Sequence, residues 1–142
     1  MSLCYLLDTN VLSEPMQKRP SSTVLEKLEY HRQQVGTASV VWHEMWFGCQ
    51  RLPESRKQKA LELYLIEIVK PIVPLLPYDA ESAKWHAVER ARLAKSGQTP
   101  PFVDGQIAAI AHTNNLILVT RNISDYKSFF DLTLENWYDS SK

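Results

Sequence analysis

Residues 3–10, Leu3-Cys4-Tyr5-Leu6-Leu7-Asp8-Thr9-Asn10, are the stretch whose reading decides the fold. Five apolar residues in succession, with no alternation, mark a short strand buried on both faces, as in a parallel sheet covered by helices. Asp8-Thr9-Asn10 ends the run with residues suited to capping the helix that follows. A second run of the same kind, Leu116-Ile117-Leu118-Val119, is followed by Thr120-Arg121-Asn122 and reads as a central strand.

Between and beyond these runs, short apolar segments alternate with longer amphipathic ones, the pattern of an α/β fold. Ser21 and Ser22 cap a helix from about Thr23 to His31, with Val24, Leu25 and Leu28 on one face. Gly36–Val41 reads as the second strand. Helices follow near Trp42–Arg51 and over Ser55–Val69, the latter with Leu61, Leu65, Ile68 and Val69 at helical spacing. Pro71, Pro74 and Pro77 bracket a strand, Ile72–Leu76, and place it at an edge. Asp79 opens a helix to about Lys95, closed by Ser96-Gly97. Val103–Thr113 is a helix with a core-facing stripe of Ile107, Ala108, Ile110 and Ala111, and Asn114-Asn115 stops it. Asp131–Leu134 is a last strand, and the tail from Asp139 is expected to be loose.

The chain is 142 residues long, 44% hydrophobic and 23% charged, which suits one domain spanning 1–142. Its 16 basic residues balance its 16 acidic ones, which excludes a histone-like binder but not a local basic groove. Two cysteines, Cys4 and Cys49, are too few for a disulfide framework, and Cys4 reads as a small buried hydrophobe. There is no basic stretch ahead of the first apolar run, and no run nears the ~20 apolar residues of a membrane span. The expectation is a cytoplasmic protein, in which the sequon Asn122-Ile123-Ser124 is a chance match.

In open parallel sheets the working residues stand beyond the carboxyl ends of the strands. Asp8 follows the first strand, Glu44 the second and Asp125 the Leu116–Val119 strand, while Asp104 begins the helix leading into that strand. Each has a structural reading: Asp8 and Asp125 as helix caps, Glu44 as a solvated helix residue, Asp104 as a first-turn acid favourable to the helix dipole. Taken together, four acids at one sheet edge repel one another unless a cation neutralises them. Carboxylate oxygens suit Mg²⁺ or Mn²⁺. The matching chemistry is metal-assisted phosphodiester hydrolysis, which two ions roughly 3.5–4 Å apart can support.

With these residues in view, the sequence resembles a PIN domain, specifically the VapC-type toxin ribonucleases of bacterial toxin–antitoxin pairs. Leu6–Glu14 (LLDTNVLSE) resembles the first motif, with Asp8 in the metal-ligand position. Ser39–Gly48 (SVVWHEMWFG) resembles the second, with Glu44 as its acid, although His43 and Trp46 are bulkier than that pattern. Pro100–Asn122 resembles the third motif and the run into the fourth, with Asp104 as the central acid. Thr120–Phe129 supplies Thr120, Asn122 and Asp125, and Leu134-Glu135-Asn136-Trp137 resembles the usual end.

The resemblance implies a three-layer α/β/α domain with a central parallel sheet of about five strands, divalent-metal endoribonuclease activity, a homodimer and inhibition by a cognate antitoxin. On this basis Asp8 and Asp104 are expected to bind Mg²⁺ or Mn²⁺, Glu44 to ligate the ion or its water, and Asp125 to hold a second ion or a water. Thr9, Asn10, Thr120 and Asn122 are expected to orient the ligands, and Arg121 to contact the phosphate of an RNA substrate. The cations Arg51, Arg56, Lys57 and Lys59, and Arg90, Arg92 and Lys95, read mainly as solvated helix faces. Trp42, Trp46 and Phe47 have the shape to stack on a base or meet at a dimer interface, but core packing is the commonest fate of such residues and is the favoured reading for Phe47.

Other chemistries fail on inspection. His43-Glu44-Met45-Trp46-Phe47 begins like a zinc-protease helix but has Phe47 where the second histidine must stand. His31, His86 and His112 share no ligand spacing and are assigned to surface or helix packing. No glycine-rich phosphate loop and no nucleophile elbow occurs. Two rivals remain open: an aspartate-based phosphatase, for which Asn10 stands where a second aspartate is needed, and an inactive binding module.

Overall fold

The computed structural model describes residues 2–138. Among them, five strands form one parallel sheet in the order β3-β2-β1-β4-β5. The strands are β1 (Tyr5–Leu7), β2 (Val35–Ala38), β3 (Leu75–Leu76), β4 (Ile117–Val119) and β5 (Leu134–Glu135). The middle position belongs to β1, with β4 beside it; Leu6, Leu7, Leu118 and Val119 are buried, as expected of runs covered on both faces. Registers are fixed by pairs such as Leu7 with Thr37 and with Val119.

The helices are α1 (Thr9–Leu12), α2 (Ser22–Tyr30), α3 (Ser39–Arg51), α4 (Arg56–Leu63), α5 (Lys70–Ile72), α6 (Ala80–Lys95), α7 (Phe102–Thr113) and α8 (Ile123–Tyr126). Side-chain oxygens of Asp8, Ser21, Ser55 and Asp79 accept amide protons at four helix starts, whereas Ser22, also expected as a cap, is the first residue of α2. Gly97 and Asn115 take positive φ, 81° and 56°, just past the ends of α6 and α7. Glycine meets this geometry without strain and asparagine tolerates it.

The order of strands fixes where a site can form. The chain lays down β1, β2 and β3 in one direction, then crosses back through α6 and α7 to place β4 and β5 on the other side of β1. The gap between the carboxyl ends of β1 and β4 is the point at which the winding reverses, the position where parallel sheets leave a crevice.

Several expected boundaries move. The second strand stops at Ala38, and Val40 and Val41 lie in α3, where Val41 is buried against the core. The third strand is two residues long because Ile72 closes α5; it is at the edge, as its prolines require. The last strand is Leu134–Glu135, since Asp131 turns the chain with φ 57°. Between α4 and α5 the helix widens to π geometry over Tyr64–Val69. The wider turn shifts the faces, so Leu65 and Val69 are buried while Ile68 is 48% exposed, against the expected stripe.

Three residues differ from their sequence reading in burial. Phe47 is 52% exposed rather than in the core, stacked against His43 with Arg51 over its ring. Leu25 is partly exposed, and Cys4 is half-buried rather than buried. No helix among the described residues is long and apolar enough to cross a membrane. The expectation for the tail from Asp139 lies outside the described residues.

Candidate active site

Asp8 stands at the end of β1 with its carboxylate buried at 6% exposure. Its backbone amide continues the sheet by donating to the Val119 carbonyl of β4 at 2.9 Å. Its side chain is held from three directions. Oδ1 accepts from the Thr9 amide at 2.8 Å. Oδ2 accepts from the Thr120 hydroxyl at 2.7 Å and from the Tyr126 hydroxyl at 3.2 Å. These bonds favour the charged carboxylate, but burial outweighs them and pushes its pKa above the usual range, with Asp125 adding repulsion.

Asp104 lies in the first turn of α7, half-buried. Burial, then the charges of Asp8 and Asp125, push its carboxyl up to about 6. Asp125 sits inside the first turn of α8, whose cap position is taken by Asn122. The structure therefore brings Asp8, Asp104 and Asp125 within electrostatic reach of one another at the crevice. None of the three forms an ion pair with a described cation.

Glu44 is placed differently. It is half-buried on α3 and lines a cavity of about 280 Å³ with Thr9, Ser13, Met16 and Lys57. Its charge is not among those that shift Asp8 or Asp104. Thr9, next to Asp8, stands on the wall of that cavity and links the two regions.

Of the expected orienting residues, Thr9 and Thr120 touch Asp8 directly. The Asn122 amide donates to Thr120 Oγ1 at 3.0 Å and fixes that hydroxyl. Asn10 Oδ1 accepts from the Arg121 amide at 3.2 Å, and so ties α1 to the segment after β4. Arg121 is exposed, its guanidinium 4.5 Å from the centroid of the Tyr138 ring.

Sequence reading did not single out Tyr126, Tyr138 or Glu14 as parts of the site. Tyr126 is 2% exposed and has its hydroxyl on Asp8. The Tyr138 hydroxyl is 2.7 Å from Glu14 Oε1 and 2.8 Å from the Asn10 carbonyl. A usable signal was the acid Glu14, which directly follows the short apolar run Val11-Leu12 and Ser13 and precedes Pro15-Met16. A carboxylate there needs a partner.

Asp8, Asp104 and Asp125 offer only carboxylate oxygens, the ligands of hard divalent cations, and burial together with the neighbouring charges disfavours the ionised form of Asp104. As the side chains stand, no three described His, Cys, Asp or Glu residues are close enough to enclose an ion.

The family model of the PIN domain matches residues 5–126, a span that includes all four acids. The chain belongs to the PIN-domain family. Within it, the chain is similar to proteins of the VapC type. The tRNA(fMet)-specific endonuclease VapC of Shigella flexneri is 29% identical over 137 residues, covering 95% of this chain and 98% of that protein. Toxin FitB of Neisseria gonorrhoeae is 31% identical over 140 residues, covering 94% and 99%. Among solved structures, a chain of FitAB bound to an IR36 DNA fragment superposes with a TM-score of 0.88 at 26% identity, covering 97% of this chain and 98% of that one. This PIN-domain chain is thus matched along almost its whole length, including the crevice between β1 and β4.

Proposed function

We propose that this PIN-domain protein is a divalent-metal-dependent endoribonuclease, the toxin of a VapBC-type toxin–antitoxin pair. One observation carries the reading: three carboxylates from separate parts of the chain lie within electrostatic reach of one another at the reversal point of the sheet, and no described cation pairs with them. The names of the Shigella and Neisseria relatives, an RNA endonuclease and a toxin, agree with it. The likeness to FitAB, solved bound to a DNA fragment, supports a cognate antitoxin as partner. A homodimer follows from the family resemblance, and two free cysteines suit a reducing cytoplasm.

Asp8 and Asp104 would hold Mg²⁺ or Mn²⁺, Glu44 would bind the ion's water, and Asp125 would serve a second ion or hold a water. The bound ion supplies activation of an attacking water and neutralisation of phosphate charge. The chain supplies the rest. Thr9, Thr120 and Tyr126 fix both oxygens of Asp8, so its orientation does not vary as substrate arrives. Asp104, whose carboxyl is pushed up to about 6 by burial and by the charges of Asp8 and Asp125, would be held in its ionised form by a bound cation. Arg121 faces the substrate phosphate from the β4 side. No side-chain nucleophile is involved.

The test is cleavage of single-stranded RNA by the purified protein with Mg²⁺ or Mn²⁺, repeated with chelator and with Asp8→Ala and Asp104→Ala variants. Cleavage by the parent that disappears in all three cases is the expected result. Cleavage that survives chelation or either substitution overturns the reading.

A further inference from the structure

A cleft of about 480 Å³ is lined by Asn10, Glu14, Gln17, Lys18, Arg19, Arg121 and Tyr138, among others. Three of these are cations, all exposed, and none pairs with a described carboxylate. Charges on one helix face are commonly just solvated. Here they come from two chain segments more than a hundred residues apart and meet across one concavity.

Arg121 is also held in place. Its guanidinium stacks on the Tyr138 ring, and that ring is anchored by its hydroxyl to Glu14, a carboxylate 7% exposed. Glu14 in turn accepts from the Ser21 amide at 2.8 Å, so its charge is satisfied by two donors. A stacked guanidinium keeps its edge N–H groups free for an oxyanion, and it has less freedom left to lose when a ligand arrives.

The cleft adjoins the carboxylate crevice. Thr120, which donates to Asp8, precedes Arg121 directly, and Asn10 holds the Arg121 amide. We propose that this cleft holds the sugar–phosphate backbone of the RNA strand next to the cleaved bond, with Lys18, Arg19 and Arg121 on its phosphates. This rests on the ribonuclease reading above. A single strand suits it because its regular negative charge matches cations spread along a groove, and the amide side chains of Asn10 and Gln17 suit ribose hydroxyls.

The experiment uses fluorescent single-stranded RNA and full-length protein carrying Asp104→Asn to prevent cleavage. Affinity is measured over a range of salt concentrations. Adding Lys18→Ala with Arg19→Ala, both at exposed positions, is expected to weaken binding about tenfold and to flatten the plot of log affinity against log salt by about 1.4, roughly 0.7 for each phosphate left without its cation. Removing two cations from α6 instead, Lys84→Ala with Lys95→Ala, is expected to leave the slope within about 0.3 of its starting value. Tyr138→Leu, which changes no charge, is expected to weaken binding by releasing Arg121.

Equal affinity and slope in the Lys18/Arg19 variant overturn the assignment while leaving the ribonuclease reading intact, provided the parent binds and cleaves RNA. A parent that binds no RNA overturns both. Loss of binding to a polyglutamate peptide with RNA affinity unchanged assigns the cleft to an acidic protein and also overturns the proposal.

Discussion

Thr120 and Asp8, 112 positions apart in the chain, share a hydrogen bond of 2.7 Å in which the threonine hydroxyl donates to Asp8 Oδ2. Thr120 is fully buried, and the bond joins the residues that immediately follow β4 and β1. The two central strands and the candidate catalytic acid are thereby fixed in one step.

Removing that donor tests its role. Thr120→Val keeps the shape of the side chain and leaves Oδ2 with Tyr126 alone. The expected loss of stability is roughly 1–3 kcal/mol by urea unfolding, with RNA cleavage reduced about 10–100-fold. Thr120→Ser is expected to recover most of both. Unchanged stability and cleavage in the valine variant would show that the bond does no positioning.

Asp104 gives a pH dependence of definite sign. Its carboxyl ionises at about 6 in the fold, against 3.8 ordinarily. A raised folded pKa means that its contribution to stability is fully present at low pH and is lost as pH rises through about 6. In chelator, Asp104→Asn is therefore expected to melt higher than the parent above about pH 7 and no higher below about pH 4. A difference in melting temperature that stays constant across this range contradicts the assignment.

Glu89 has the opposite sign. It is 5% exposed on α6 and accepts from Arg92 Nε at 3.0 Å, from the same guanidinium at 2.7 Å, and from the Phe130 amide at 2.7 Å. The bonds from Arg92, chiefly, hold its pKa below the usual value. This contribution is present above its unfolded pKa of about 4.5 and is lost as pH falls further. Glu89→Gln is expected to lower stability by roughly 1–3 kcal/mol at neutral pH, and by less in acid, measured by denaturant unfolding. A penalty that grows on acidification would contradict this.

Gly105 follows Asp104 and packs against His86. A Cβ there would clash with His86 Nε2. The ring has no easy retreat: His86 is 3% exposed, its Nδ1 is 2.8 Å from the Tyr78 hydroxyl, and Phe102 lies against it at 4.8 Å. Gly105→Ala gains about 1 kcal/mol in helix propensity but forces overpacking that costs roughly 1–3 kcal/mol. Net destabilisation is expected, with partial recovery when His86→Ala is added, read in a double-mutant cycle of thermal unfolding. A stabilised Gly105→Ala protein would contradict the close approach.

The sheet was legible where burial is symmetrical. The runs around Leu6 and Leu118 are apolar without alternation, and only a strand covered on both faces asks for that. Val40 and Val41 misled because their β-branched side chains suit a strand, whereas the core packing of Val41 places them in α3. Ile68 misled because spacing assumes a uniform helical turn and the stretch from Tyr64 to Val69 is wider. In the site, Asp8, Asp104 and Asp125 were legible as acids next to strand ends and helix starts. Tyr126 and Tyr138 were not, since their roles come from hydrogen bonds to residues 118 and 124 positions away in the chain. Glu44 has the expected helix but stands on the cavity side of Thr9.

The central claim is that the crevice between β1 and β4 holds a divalent ion on Asp8 and Asp104. Anomalous scattering from a crystal of the protein soaked in Mn²⁺ tests it most directly. The account predicts a peak among Asp8, Asp104 and Asp125 that vanishes in the Asp104→Asn protein. A crystal whose protein cleaves RNA in Mn²⁺ yet shows no density at these carboxylates, or shows it elsewhere, would contradict it.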